Sequence, residues 1–426
     1  MTYPDTYYSR TAINHEGYPA LSTTLEADVC IVGGGLAGLS CALELLQKGK
    51  SVALLEAHKV AWGASGRNGG FVSNGFAGGQ DIVEKRLGLD AAREVFKLSV
   101  EGVEMVRNNI TNLQLDDVQP SPGMISVIRY DDPDGMKLMC DQMLDKYDYQ
   151  LDYLSKNDLS AHFKTDSYFQ GNLDKGAFHF HPLNYCLGIA EKIVSRGGKI
   201  LEGSEVIRMD LEGSTKEIQT LNGLVKAKDV VLCGGGYAGN VFNRLRKSLL
   251  PIATYVVVTE KLGDRLHELV RTKTAVLDNR LASDYYRIVD GDRLLWGGRI
   301  TTKTSQPKSL AQLLKADMVD VYPELKDARI DMSWTGLMAY ARHKMPYIGQ
   351  LSPGVWSCTA FGGHGMNSAP IGGRIISEAI TMQSDRYRLF EKFGLTSNGG
   401  IIGPLAAQSV YWGMRLADRW REFSSR

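Results

Sequence analysis

Gly33, Gly35 and Gly38 stand in the spacing G-x-G-x-x-G, directly after the apolar run Asp28-Val29-Cys30-Ile31-Val32 and ahead of a stretch with helical spacing, LSCALELLQKGK. In a strand-turn-helix, Gly33 allows a tight turn, Gly35 lets the backbone approach a pyrophosphate, and Gly38 lets helix and strand pack closely. Leu36 and Ala37 would then offer free N–H groups at the helix N-terminus, where the helix dipole favours negative charge. A second apolar strand, Ser51 to Leu55, ends at Glu56, about 20 residues beyond the glycines. A carboxylate there accepts hydrogen bonds from ribose hydroxyls and repels a 2′-phosphate, which argues against NADP.

Three further glycine-rich stretches could meet the same ligand. Trp62-Gly63-Ala64-Ser65-Gly66-Arg67-Asn68-Gly69-Gly70 follows the second strand too closely to be a separate domain, so the ligand is expected to extend past the pyrophosphate, and FAD fits better than NAD. Another apolar strand stops at Gly234-Gly235-Gly236-Tyr237, and Gly203-Ser204-Glu205-Val206 leads out of a strand so that the Val206 backbone could meet adenine. Near the C-terminus a strand runs into Phe361-Gly362-Gly363-His364-Gly365-Met366 and then a helical stretch. That helix N-terminus could stabilise negative charge on a reduced flavin, with His364 as an added donor. A solvent-exposed glycine turn and a structural histidine are the plainer alternatives for these stretches.

The elements that position these residues are read from periodicity. Residues 81–175 begin with helical spacing and shift to mixed strand and helix; 250–330 carry strand-like runs such as YVVV, YYRIV and LLW. Nucleotide signals lie outside these segments. The expected fold is therefore α/β, a Rossmann-like FAD-binding domain (1–80, 176–249 and 331–426) interleaved with a sheet-rich α+β substrate domain (81–175 and 250–330). Gly403 to Arg426 reads as a helix with apolar positions at Leu405, Val410, Trp412 and Leu416.

Composition limits the partners. Lys plus Arg (49) and Asp plus Glu (48) nearly cancel, so no long-range field would draw nucleic acid or an anionic membrane surface. The N-terminus lacks the apolar segment of a signal peptide, and glycines interrupt the apolar stretch Asp28 to Leu46, so no membrane span is read. Six scattered cysteines without a C-x-x-C pair point to reduced core residues in a cytoplasmic protein. No metal site is expected.

The stretches EADVCIVGGGLAGLS, LLEAHKVAWGASGRNGGF, the His181-Pro182-Leu183-Asn184 element, DYYRIVDGDRLLWGGRI, IDMSWTGLMAYARHKMPYIGQL and FGGHGM together resemble the D-amino-acid-oxidase-like flavoproteins. That superfamily includes sarcosine and glycine oxidases, and the likeness is greatest to gamma-glutamylputrescine oxidases and their bacterial relatives. GASGRNGG after a Rossmann unit is the specific element. The resemblance implies two domains, extended FAD, and oxidation of a C–N bond to an imine that water hydrolyses, with hydrogen peroxide released where oxygen is the acceptor. Some members hold FAD through a cysteine within the segment matching Trp334 to Tyr347; none stands there, so noncovalent FAD is expected.

Hydride transfer to flavin N5 needs a neutral amine held over the ring and no dedicated protein base. Candidates for the substrate side are Tyr255, Tyr286, Trp296, Arg299, Arg342, His343 and Lys344. The planar fork of Arg342 suits a substrate carboxylate, although ARHK also reads as an exposed charged run. Tyr286 and Trp296 could enclose an amine through their π faces or be ordinary core aromatics, and Arg299 could place a cation over the flavin. Arg342 and His343 depart from the uncharged residues expected in gamma-glutamylputrescine oxidases. The expected substrate is accordingly a small secondary amine or amino acid of sarcosine or iminodiacetate type. Alternatives are a gamma-glutamylated or free polyamine, an amino-acid dehydrogenase passing electrons to a quinone or carrier protein, and a protein that holds FAD only as a structural element.

Overall fold

A computed structural model describes residues 2–424 apart from 240, 241 and 282. Two sheets organise the chain. The first runs in the order β16 (Tyr347–Ser352), β17 (Val355–Thr359), β10 (Leu224–Leu232), β1 (Thr24–Val32), β2 (Val52–Leu55), β7 (Lys199–Leu201), with β9 (Lys216–Thr220) pairing β10 and β8 (Val206–Asp210) pairing β9. β17, β10, β1, β2 and β7 are parallel. Val29, Cys30 and Ile31 are fully buried on both faces, which is why β1 reads as an unbroken apolar run. Helices Leu36–Gln47 and Gly365–Met382 meet backbone to backbone over this sheet. A Cβ on Gly373 would lie 2.6 Å from the Cys41 nitrogen.

The second sheet runs β15 (Ile330–Tyr340), β11 (Leu250–Thr259), β14 (Arg293–Thr301), β13 (Tyr285–Val289), β12 (Ala275–Asp278), β4 (Ser121–Ile128), β6 (Gln170–His179), β3 (Phe71–Val72), with β5 (Asp152–Leu154) beside β6. β3 and β15 belong to this sheet although both lie in segments assigned from sequence to the first domain.

Side chains alternate across the second sheet. Tyr255, Val257, Tyr286 and Trp296 pack in one core with Leu314 and Met318 of helix Leu310–Val321. Val256, Val258, Leu295 and Trp334 point the other way and join the core of the first sheet.

All six cysteines are free and buried. Among the described residues no helix is long and apolar enough to cross a membrane, and no group of three or more acidic, histidine or cysteine side chains could hold a metal. The C-terminal stretch is a helix, Ile402–Ser424. Its apolar residues, however, lie on the exposed side, with Leu405, Val410, Trp412 and Leu416 all facing outward.

Candidate active site

A cavity of about 560 Å³ lies between the two sheets. Its walls bring together glycine turns that are hundreds of residues apart in sequence. Gly33, Gly35, Leu36, Ala37 and Glu56 line one end, beside Val206. Trp62, Gly63, Ala64, Ser65, Arg67, Asn68 and Gly69 follow, opposite Gly234, Gly235 and Tyr237. Gly362, Gly363, His364, Gly365 and Met366 line the same cavity at the start of helix Gly365–Met382.

Gly38 and Gly70, within the two runs assigned to the cofactor, lie behind the wall, Gly38 in the close helix–strand packing its place in the motif predicts. A Cβ on Gly38 would sit 2.0 Å from the Gly33 carbonyl oxygen, so this glycine sets the helix-to-turn distance. Gly70, with φ of +79°, would meet the Phe180 carbonyl at 2.3 Å. Its role is the close approach of loop and strand.

The first turn and the second loop are keyed together. The Leu36 N–H donates to Ser65 Oγ (2.9 Å), so Ser65 sits at the helix N-terminus where an anion is favoured. Glu56 accepts from the Gly34 N–H (2.7 Å) through one carboxylate oxygen and from the His58 N–H (2.8 Å) through the other. Each oxygen keeps acceptor capacity for a hydroxyl. Burial raises the Glu56 carboxyl above its ordinary range, opposed by those two N–H groups.

Arg67 is held without a carboxylate partner among the described residues. Its guanidinium donates to the carbonyls of Trp62 (2.7 Å), Gly63 (3.2 Å) and Thr335 (3.2 Å), and lies 4.6 Å over the Trp62 ring. Its own carbonyl accepts from Trp334 Nε1 at 2.8 Å. Burial lowers its proton affinity from the ordinary arginine value. The residue thus clamps the second loop to β15. Asn68 braces the same loop, donating to the carbonyls of Ala64 and Ser65 and accepting from the Gly70 N–H.

FAD fits this arrangement on three observations. The Thr359 hydroxyl lines the cavity, buried, with no hydrogen-bond partner among the described residues. Glycines let the turns close around the cavity, since a Cβ on Gly63 would lie 2.9 Å from the Tyr237 ring and one on Gly362 would lie 2.6 Å from Ala77. Two long helices, Leu36–Gln47 and Gly365–Met382, direct N-termini at the cavity.

The substrate-side expectations fare differently. Tyr255, Tyr286 and Trp296 face away from the cavity. Tyr286 stacks on Trp296 with ring centroids 4.6 Å apart, and its hydroxyl pairs with that of Tyr322 at 2.8 Å. Arg299 turns to the same side and pairs with Asp317, at 2.5 and 2.9 Å. Arg342 and Lys344 are exposed in the turn after β15, outside the cavity. His343 holds that turn by accepting from the Met345 N–H and pairing with the Gly394 carbonyl.

The second sheet presents other residues to the cavity, among them Met124, Thr254, Leu277, Tyr285 and Ile300. Met338, Tyr340 and Phe361 complete this end. Sequence reasoning missed Tyr285 although a signal existed. Its ring packs where Gly69 and Gly297 leave space, and a Cβ there would come within 2.7 and 2.0 Å of it. His364 lines the cavity as expected, and burial lowers its pKa, which keeps the ring neutral. A smaller cavity of about 300 Å³ shares Ser73, Met124, Leu277 and His364 with the first and is lined beyond them by Asn74, Gln80, Asn172 and Asp174.

A Rossmann-type sheet with a pyrophosphate turn, joined to a mostly antiparallel sheet that closes over it, defines a flavin-dependent redox enzyme. The chain belongs to the FAD dependent oxidoreductase family, whose pattern matches residues 28–379. It is 32% identical over 387 residues to the gamma-glutamylputrescine oxidoreductase of Escherichia coli, covering 90% of each chain. It is 30% identical over 423 residues to a probable oxidoreductase, OrdL, of Haemophilus influenzae, covering 97% of each. The fold is similar to that of glycine oxidase from Bacillus cereus, with a TM-score of 0.70 at 20% identity, over 85% of this chain and 97% of that one.

Proposed function

We propose that this enzyme oxidises a C–N bond of an extended amine of polyamine type, using noncovalently held FAD. The observation that carries the reading is the character of the cavity's far end. Met124, Leu277, Tyr285, Met338 and Phe361 make it apolar, and the one arginine on the cavity wall among the described residues, Arg67, is engaged by backbone carbonyls. A carboxylate next to the reacting C–N bond, as in sarcosine or iminodiacetate, would find no guanidinium there, because Arg342 lies outside. The similarity to a gamma-glutamylputrescine oxidoreductase supports the same choice.

Bound FAD would supply the two-electron acceptor for a hydride. The chain's own residues supply position and environment. An apolar, aromatic wall disfavours the ammonium form and so favours the neutral amine that hydride loss requires. Tyr285, Tyr340 and Phe361 exclude water from the reacting carbon. His364, kept neutral, can accept a hydrogen bond from the amine N–H at a ring nitrogen and so orient it. The smaller cavity would receive the substrate's far end, where Asp174 offers a buried carboxylate already bonded to Asn74 (3.0 Å) and Tyr149 (2.6 Å). The absence of cysteine between Trp334 and Tyr347 supports noncovalent FAD.

Steady-state turnover of putrescine, its gamma-glutamyl derivative, sarcosine and iminodiacetate, with peroxide followed in parallel, tests the reading. Highest kcat/KM on the putrescine-type amines is expected. Highest kcat/KM on sarcosine or iminodiacetate would replace it with the small carboxylated amine, and turnover without peroxide would make the enzyme a dehydrogenase.

A further inference from the structure

The C-terminal helix, Ile402–Ser424, docks by its polar side. Glu422 accepts from Arg280 Nε at 2.7 Å and lies 3.3 Å from Arg129 Nε. Asp418 accepts from the Leu281 N–H at 3.1 Å, and Gln408 accepts from Thr301 Oγ1 at 2.9 Å. Tyr411 is buried against the sheet. On the opposite side, Leu405, Trp412, Leu416, Trp420 and Phe423 form a stripe at helical spacing, each between 60 and 79% exposed.

This is the reverse of an ordinary surface helix, in which the apolar stripe faces the core. Three aromatic rings and two leucines in one line make an apolar surface of several hundred Å², more than solitary exposed side chains explain. Something covers it.

Charge narrows the occupant. The helix's carboxylates, Asp418 and Glu422, both turn inward to Leu281, Arg280 and Arg129. Its exposed charged residues are Arg419 and Arg421, the latter already interacting with Asp418, with Arg415 half-buried beside Tyr411. At the helix start a second basic group adjoins, because Asn398 bonds to the carbonyls of Arg246 and Lys247, whose side chains are exposed together with that of Arg244. A second copy of this helix would bring the same arginines and no outward carboxylate to meet them. An anionic surface answers both the charge and the apolar stripe. Tryptophan and phenylalanine on one side of a helix with arginine along its flanks is the pattern of a helix lying in a bilayer interface.

We propose that this helix seats the enzyme on an anionic lipid bilayer surface, with Trp412, Leu416, Trp420 and Phe423 entering the headgroup region. The near-neutral chain has no long-range pull toward such a surface, so the attraction is local to this edge. The seat lies against the cavity wall, since Leu281 and Ile300, beside Asp418 and Tyr411, both line the cavity.

Flotation of the FAD-loaded protein with vesicles of phosphatidylcholine and phosphatidylglycerol in equal parts, or of phosphatidylcholine alone, tests this. Binding to the anionic vesicles is expected, with at least about tenfold weaker binding to the neutral ones. Trp412→Glu with Leu416→Glu is expected to abolish binding while the flavin spectrum and thermal midpoint stay unchanged, because both side chains point outward. No flotation by the unaltered protein, or equal flotation with both vesicles, would overturn the proposal. So would a lipid-free dimer that the same double substitution dissociates in light scattering.

Discussion

Tyr285 and Tyr286 are neighbours on one strand and face opposite sides of the second sheet, Tyr285 into the cavity and Tyr286 onto Trp296 in the core behind it. Removing the first ring therefore acts on the substrate and removing the second hydroxyl acts on stability. Tyr285→Ala is expected to lower kcat/KM for the preferred amine about tenfold or more. Tyr286→Phe loses one buried hydroxyl pair with Tyr322 and is expected to cost about 1 kcal/mol of stability, with kinetics unchanged. Amine kinetics and urea unfolding on the two variants check both halves.

Arg67 joins three carbonyls of the second loop and β15 with one planar group. Arg67→Lys keeps the charge but loses the fork, and Arg67→Met leaves the carbonyls without donors. Each unmatched buried acceptor costs about 1–3 kcal/mol, so FAD affinity should fall in the order arginine, lysine, methionine. Fluorescence titration of the stripped protein with FAD measures this order.

Arg342 lies exposed in a turn away from the cavity. Arg342→Met is expected to leave KM unchanged for carboxylated and uncarboxylated amines alike. A rise in KM confined to carboxylated substrates would return it to the site.

Burial pushes the His179 ring down to about 3 and His181 to about 4, with the Arg287 guanidinium adding to both effects. The folded protein holds both rings neutral, whereas the unfolded chain takes up protons below about pH 6.5. Stability is therefore complete above that pH and falls below it, by about 1.4 kcal/mol per pH unit for each ring until its folded value is reached. His181 also caps helix Pro182–Ser195 by accepting from the Asn184 N–H, and asparagine can do the same. His181→Asn should flatten the stability profile between about pH 6.5 and 4 in denaturant titrations.

The contrast between the two ends of the cavity explains what could be read from sequence. The pyrophosphate turn is local: Gly33, Gly35 and Gly38 sit within one strand-turn-helix, and their spacing states their job. The residues of the second sheet are not marked in this way. Tyr255-Val256-Val257-Val258 and Leu294-Leu295-Trp296 are apolar at consecutive positions because both faces of the sheet are buried. No alternation in sequence then says which face is which, and a choice one residue off selects Tyr255 and Tyr286 in place of the cavity-facing Thr254 and Tyr285.

The C-terminal helix shows the same limit. Its spacing announces a helix, but the side that docks is set by Arg129 and Arg280, which are far away in sequence. In sequence, Arg342 reads as a guanidinium beside the active face. The turn that carries it outward is fixed by His343, Met345 and Gly394.

One cavity, in which four glycine turns would enclose FAD and an apolar wall would receive an amine, carries the proposed function. Anaerobic mixing of the purified FAD-loaded protein with putrescine-type amines, followed in the flavin absorption band, tests it most directly. Bleaching by these amines at rates matching turnover is the predicted result. A protein that takes up no FAD, or holds it and stays oxidised with every amine and amino acid supplied, would contradict it.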